Sequence, residues 1–364
     1  MKPYALMLVA MMGVAACGSD GTNPFDPPTE EPDPTDPDTD PDTDPDTPPI
    51  DRDGTLPPGT SEPTPDTGIV RTEARAENRE DATYGNGFAN SIAYDGDSDT
   101  FFVDGLAFDG DQPDGTPYER SVPSNLRSYA LYEGPTSVPD SLTGTPIGQM
   151  EHRALYGVGD SGETEFAIVR TGSYIEYGFG GFVYQRSGGV VLPESGQATY
   201  SGDYGGIRDF DGAGGLEYVT GDMTVDIDFE GFRNNCSGAT CGDAIRGVVR
   251  NRQFFDVNGA ETTSGYIVAL NDDRPDGTGP VTAVPTIRFE VGPNVMDGNG
   301  EATGNAFSNA FGEELDEGNY YIVLSGDHTT DPGGEIVGVV VVESDDPRFE
   351  NVTVRETGGF ILER

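Results

Sequence analysis

The chain has 364 residues, a formal net charge of −45, 52 glycines, 28 prolines, three cysteines and no tryptophan. So large an acidic excess excludes nucleic acid and anionic lipid head groups as charge-driven partners. Abundant Gly, Tyr, Phe, Val and Thr, with almost no stretch of helical apolar period, exclude a helical protein and point to an all-β one.

Lys2, the apolar run Ala5 to Met12 and the small residues Gly13 to Ala16 form an export signal over residues 1–16. Its apolar part is too short to span a bilayer. Val14-Ala15-Ala16-Cys17 resembles a bacterial lipobox, which implies cleavage before Cys17 and a lipid on its sulfur; an ordinary signal peptide with an incidental cysteine is the alternative. Gly18 and Ser19 follow with no Asp directly after the cysteine, which by resemblance to enterobacterial sorting implies the outer membrane. Residues 17–68 carry fifteen of the 65 acids against the single base Arg52, interleaved with Pro and Thr. Proline removes backbone donors and Asp repels Asp, so an extended, disordered tether is expected, reaching roughly 150 Å in polyproline geometry. Asp alternating with Pro offers no preorganised calcium cage.

Residues 69–178 are β-rich but irregular. Arg71 to Ala82 is the one early stretch that reads as a short polar helix. Asp95, Asp97 and Asp99 have the spacing that opens an EF-hand loop, but Thr100 stands where Gly is required and Leu106 where the bidentate Glu belongs, so an acidic turn is expected. His152 and His328, the only histidines, sit in polar contexts and are expected to be exposed. Neither G-x-S-x-G nor H-E-x-x-H occurs, so no catalytic residue, metal ligand or cofactor is assigned, and the chain is read as a non-enzyme.

From Phe179 onward the strands become regular. Phe179 to Arg186 is followed by GQATYSGDYGGIRDF, where Ala198, Tyr200, Gly202, Tyr204 and Gly206 share one face. From Asp222 to Glu230, Met223, Val225, Ile227 and Phe229 alternate with acidic or polar residues, which is a half-buried antiparallel strand. Cys236 and Cys241 in NNCSGATCG, bracketed by strand-like sequence, are expected to form a disulfide across a hairpin loop. Ala244 to Val257, Thr286 to Val291, Glu301 to Ser308 and Asn319 to Ser325 are further strands. The chain ends in a hairpin, Glu335 to Glu343 and Val352 to Leu362, turned by Ser344 to Pro347. Ile336 to Val342 shows no polar alternation, so both faces of that strand must be covered. These strands suffice to close a small barrel over 179–364, and closure removes exposed edges.

GQATYSGDYGG with the acidic strand after it, then NGEATGNAF, GGEIVGVVVVE and the final ETGGFILER resemble the β-barrel domain of the transferrin-binding protein B-like surface lipoproteins. The resemblance covers roughly 180–364 and implies an eight-stranded antiparallel β-barrel behind a handle-like β region at 69–178; the best-known members have two such lobes, whereas this chain has length for one. It also implies a lipid-anchored outer-membrane or surface protein that binds iron- or haem-carrying partners, alongside a TonB-dependent receptor. No partner-contacting residue carries over by motif. The alternative is a structural or adhesive envelope lipoprotein.

Overall fold

The computed structural model describes residues 56–73, 88–110, 116–140, 142–172, 177–229, 245–289, 296–330 and 332–364. The first half contributes β1 (Ile69–Thr72), β2 (Ser91–Asp95), β3 (Thr100–Asp104), β4 (Thr116–Leu126), β5 (Tyr129–Glu133), a side hairpin of β6 (Ser137–Pro139) and β7 (Pro146–Gly148), then β8 (Arg153–Val158), β9 (Thr164–Arg170) and β10 (Gly180–Arg186). The second half contributes β11 (Val190–Val191), β12 (Gln197–Asp211), β13 (Leu216–Asp228), β14 (Ile245–Asp256), helix α1 (Thr263–Asp272), β15 (Ile287–Phe289), β16 (Glu301–Ala310), β17 (Glu313–Asp327), β18 (Glu335–Asp345) and β19 (Thr353–Glu363).

β12 to β19 pair in sequence order, all antiparallel, and β19 returns to β12, which closes an eight-stranded barrel. The expected terminal hairpin is β18 and β19, in register from Glu335 opposite Glu363 to Asp345 opposite Thr353. Eight of the remaining strands form a second sheet in the order β1-β10-β9-β8-β5-β4-β3-β2, while β6 pairs only with β7 and β11 runs parallel to β17.

Burial explains the apolar run in β18. Ile336, Val340 and Val342 point into the barrel with Tyr200, Tyr204, Met223, Phe289 and Phe360. The alternate residues Val337, Val339 and Val341 pack instead against Phe166, Ile168, Phe182 and Tyr184 of the first sheet. One wall therefore lies between two cores, and neither face meets water. β13 shows the opposite case. Met223, Val225 and Ile227 fill the barrel, while Asp222 is exposed and Thr224, Asp226 and Asp228 line its wetter outer face. A membrane-spanning barrel carries an apolar band outside and polar groups within; along this strand the pattern is inverted.

The first sheet departs from expectation at two places. β10, expected in the barrel, lies between β1 and β9, because Phe182 and Tyr184 cover the barrel wall while Val183 joins the core on the sheet's other side. Arg71 and Thr72, expected to start a helix, belong to β1, where buried Ile69 and Arg71 alternate with exposed Val70; residues 74–82 lie outside the described residues. In the second half, α1 occupies TSGYIVALND, which was not anticipated as helical. Its short apolar stripe, Tyr266 and Leu270, covers one barrel end, a tertiary contact rather than a local signal.

Gly358 and Gly359 in the terminal strand let the wall be approached closely from both sides. A Cβ on Gly358 would stand 2.0 Å from the Tyr204 ring inside the barrel, and one on Gly359 would stand 2.2 Å from Phe166 of the first sheet. Many acids serve turns. The carboxylates of Asp95, Asp140, Asp256, Asp297, Asp327 and Asp346 each accept a bond from a backbone N–H two residues on, the Asx geometry that stops a strand and reverses the chain.

Candidate functional site

Strand parity places charge inside the barrel at one end. In β12, Arg208 follows Tyr200 and Tyr204 on the inward side; in β14, Arg252 precedes the inward Phe254; in β19, Glu356 precedes Phe360. Arg252 is 3% exposed. It donates to Glu356 Oε2 (2.9 Å), to Asp316 Oδ2 (2.6 Å) and to the Pro285 carbonyl (2.9 and 3.1 Å). Arg208 donates to Glu217 Oε2 (2.5 Å) and lies over the Phe254 ring at 3.8 Å. Arg348, from the loop after β18, forks onto Glu217 (2.6 and 2.8 Å) and reaches Asp346 (2.7 and 2.9 Å). Tyr204 donates to Glu356 (2.9 Å) and Ser308 to Asp316 (2.6 Å). Burial opposes ionisation of Asp316, yet Arg252 and the Ser308 hydroxyl outweigh it and hold the carboxyl below its usual range. Guanidinium forks suit this packing because each satisfies several acceptors in one plane. The arrangement closes the barrel, with Arg208, Arg252 and Arg348 each ion-paired to a carboxylate.

The opposite end is closed by His328. Its Nδ1 shares a 2.6 Å hydrogen bond with the Tyr200 hydroxyl, Phe229 packs beside the ring, and Gly334 passes so close that a Cβ there would meet the imidazole at 2.4 Å. His152 lies in the first sheet, with Nδ1 3.2 Å from the Met150 carbonyl and its ring near Tyr118. Both histidines are 0% exposed, which corrects the expectation that they face water. The polar neighbours that suggested exposure lie in a turn after β17 for His328 and at the start of β8 for His152, while both rings are buried. Among the described residues, neither Nε2 meets a partner in good hydrogen-bond geometry. Desolvation lowers each imidazole to about pKa 4.

This has a measurable pH consequence. Between pH 6.5 and about 4 the unfolded histidines bind protons and the folded ones do not, so stability falls as pH drops through that window, by about 3 kcal/mol per histidine at most. Asp209 works the other way. It is wholly buried in the interface, and desolvation, opposed by Arg170 and Arg355, raises it to about 6, so its folded form takes up a proton first and gains stability on acidification. Urea midpoints across pH 4 to 7 are expected to lose slope in His328→Gln and in His152→Gln, and to steepen in Asp209→Asn. Unchanged slopes in all three variants would refute the assignment.

Beside the His328 end lies a cleft of about 240 Å³ between the β8–β9 turn and the barrel, lined by residues that include Ser161, Glu163, Gly334, Glu335, Glu363 and Arg364. Its central acid is already satisfied: Glu335 accepts from Ser161 N (2.9 Å), Ser161 Oγ (2.6 Å) and Thr164 Oγ1 (2.6 Å). Among the described residues, no group of three His, Cys, Asp or Glu side chains is placed to hold a metal ion.

Further ties join the two sheets. Arg71 forks onto Glu301 (2.7 Å for both bonds). Arg170 reaches Thr357 at 2.8 Å. Tyr129 donates to the Asp203 carbonyl (2.6 Å) and accepts from Ile361 N (3.0 Å). Large exposed apolar side chains are more frequent on the first half, where Tyr94, Phe108, Val122, Leu142 and Ile147 face water.

The acidic turn at Asp95 to Asp99 is present as expected. Asp95 caps its own turn, and Asp99 accepts both Arg120 nitrogens (3.0 Å each) and the Tyr132 hydroxyl (2.9 Å). Cys17, Cys236 and Cys241 lie outside the described residues. The buried arginine cluster was not anticipated. Part of its signal was present, since Arg208, Ser308, Asp316 and Glu356 share the parity of inward apolar residues in their strands, whereas Arg252 is turned inward by the register shift in β14 opposite Thr220 and Asp222.

No family model matches the chain, and no curated protein matches it. Among solved structures, it is similar to a double mutant of the vaccine antigen transferrin binding protein B from Haemophilus parasuis Hp5, with 12% identity over 75% of this chain and 45% of that one and a TM-score of 0.33. It is also similar to the intact two-lobed Ap-TbpB, with 11% identity over 75% and 44% of the chains and a TM-score of 0.32. A protein of Bacteroides fragilis NCTC 9343 named for the outer membrane matches at 11% identity over 74% and 86%, with a TM-score of 0.21. The chain spans less than half the length of the transferrin binding proteins it matches.

Proposed function

We propose that this chain is a non-enzymatic binding protein, held at the outer membrane by a lipid on Cys17 and standing clear of it on the acidic tether, which engages a partner protein through the surface of its first sheet. The observation that carries this reading is the filled barrel. Its interior is packed with Tyr, Phe and aliphatic side chains and its two ends are shut by the arginine cluster and by His328. With that interior occupied, recognition falls to the outer surface, where exposed apolar side chains gather on the first sheet and its loops. Iron- and haem-carrying proteins are the partner class to test first, following the sequence resemblance. A Cys236–Cys241 disulfide belongs to the same reading.

The test is retention of candidate partners on the purified exported chain carrying Cys17→Ser, at two salt concentrations. Saturable retention of an iron- or haem-carrying protein supports the reading, and salt sensitivity assigns steering to the acidic surface. Retention of none, with the protein folded, overturns the nutrient-carrier version in favour of a structural envelope role. The anchor has its own readout: Cys17→Ser is expected to move the protein from the membrane fraction to the soluble one.

A further inference from the structure

Sheet edges present unpaired N–H and C=O groups that recruit further strands, and folded proteins usually cover or disarm them. Here, among the described residues, the barrel strands pair round into a closed ring. The outer side of β1 is covered by the segment before it, with Thr60 N donating to the Val70 carbonyl (3.0 Å) and Thr72 N to that of Pro58 (2.9 Å). The other end of the first sheet is different. β2 bonds to β3 on one side, in unbroken register from Ser91 opposite Asp104 to Asp95 opposite Thr100, and among the described residues no strand lies along its outer side. Ser91, Ala93, Tyr94 and Asp95 are exposed. The strand has no Lys, Pro or bulge to disarm it.

The edge is also rigid and charged. Asp95 fixes the turn through Asp97 N (3.0 Å) and Ser98 Oγ (2.7 Å), while Tyr94 packs 5.5 Å from Tyr156 and donates to Asp99 (3.1 Å). Cross-strand pairing puts Asp104 on the face of Ser91, Ala93 and Asp95. Exposed carboxylates therefore bracket that face, Asp95 at one end and Asp104 at the other, with Asp97 at the turn, while the nearby cation Arg120 is taken up by Asp99.

We propose that the free edge of β2 is a docking site for an extended, basic segment of a partner protein, which adds as a further strand beside Ser91 to Asp95. Backbone bonds would supply affinity along about 17 Å of strand, and the flanking carboxylates would select Lys or Arg at the segment's ends. This rests on the reading that the chain binds a protein, but it fails separately from it.

The probe is the peptide Arg-Thr-Val-Thr-Val-Thr-Arg, blocked at both ends, with two relatives N-methylated at alternate amides in the two possible phases. In an added strand every second amide faces the edge, so one methylated form is expected to lose binding and the other to keep it. Saturable binding of the parent below about 1 mM is expected, weakened roughly tenfold by high salt and by Ala93→Lys, with slowed amide exchange at 91–95. Ser91→Lys, equally exposed, is the second variant should Ala93→Lys unfold. Equal binding of both methylated forms reduces the contact to charge alone and overturns the proposal, as does no binding of the parent. Self-association of the wild type that Ala93→Lys abolishes assigns the edge to a second copy and also overturns it. A natural partner bound equally by wild type and Ala93→Lys would keep the binding function and discard the edge.

Discussion

Arg252→Ala is expected to destabilise the folded chain by about 3–5 kcal/mol, read as a lower urea midpoint with little change in slope. Arg252 bridges Glu356 and Asp316, both nearly solvent-free, and also satisfies the Pro285 carbonyl. Removing it takes the shared cation from two buried carboxylates, leaving Glu356 with Arg208 at 3.6 Å and Asp316 to be protonated or hydrated at the expense of packing. Arg252→Lys keeps the charge but loses the fork that reaches three acceptors, so an intermediate cost is expected. A loss under about 1 kcal/mol for the alanine variant would mean that the cluster contributes specificity rather than stability. Lowering the pH of the Arg252→Ala variant toward 4 should recover part of the loss, because protonation removes the repulsion between the stranded carboxylates.

Gly358→Ala is expected to cost about 3 kcal/mol or more, against no more than about 0.5 kcal/mol for Gly298→Ala. A single methyl at 358 would sit 2.0 Å from the Tyr204 ring, whereas nothing lies within 4 Å of the same atom at 298. Tyr204 has nowhere to withdraw, being wholly buried with its hydroxyl on Glu356 (2.9 Å), so the strand must shift or that bond must break. Tyr204→Leu combined with Gly358→Ala should cost less than the sum of the two single changes, which marks the ring as the obstacle. Additive costs would place the damage in the backbone instead.

The β class, the terminal hairpin and the half-buried strand at Asp222 were legible in the chain, because period-two alternation and turn residues are local quantities. The doubly buried β18 was legible as a demand for cover on both faces. What supplied the cover was not, since the first sheet's contribution comes from Phe166, Phe182 and Tyr184, far away in sequence. Long-range pairing also decided the place of β10, whose seven residues fit either sheet by composition and belong to the first because β1 and β9 flank them. The histidines were misread for the same reason. A polar turn around His328 looks exposed one residue at a time, yet Tyr200, Phe229 and Gly334 arrive from three other strand ends to enclose it.

The sequence by itself determined the charge, the strand periods and the absence of a recognised catalytic motif, all of which are read along the chain. Only the tertiary structure decided that the acids divide among turn caps, solvent-facing positions and buried arginine clusters, and that among the described residues no strand pairs with the outer side of β2. Those outcomes depend on which strands meet, and a carboxylate's role is set by the group opposite it in space.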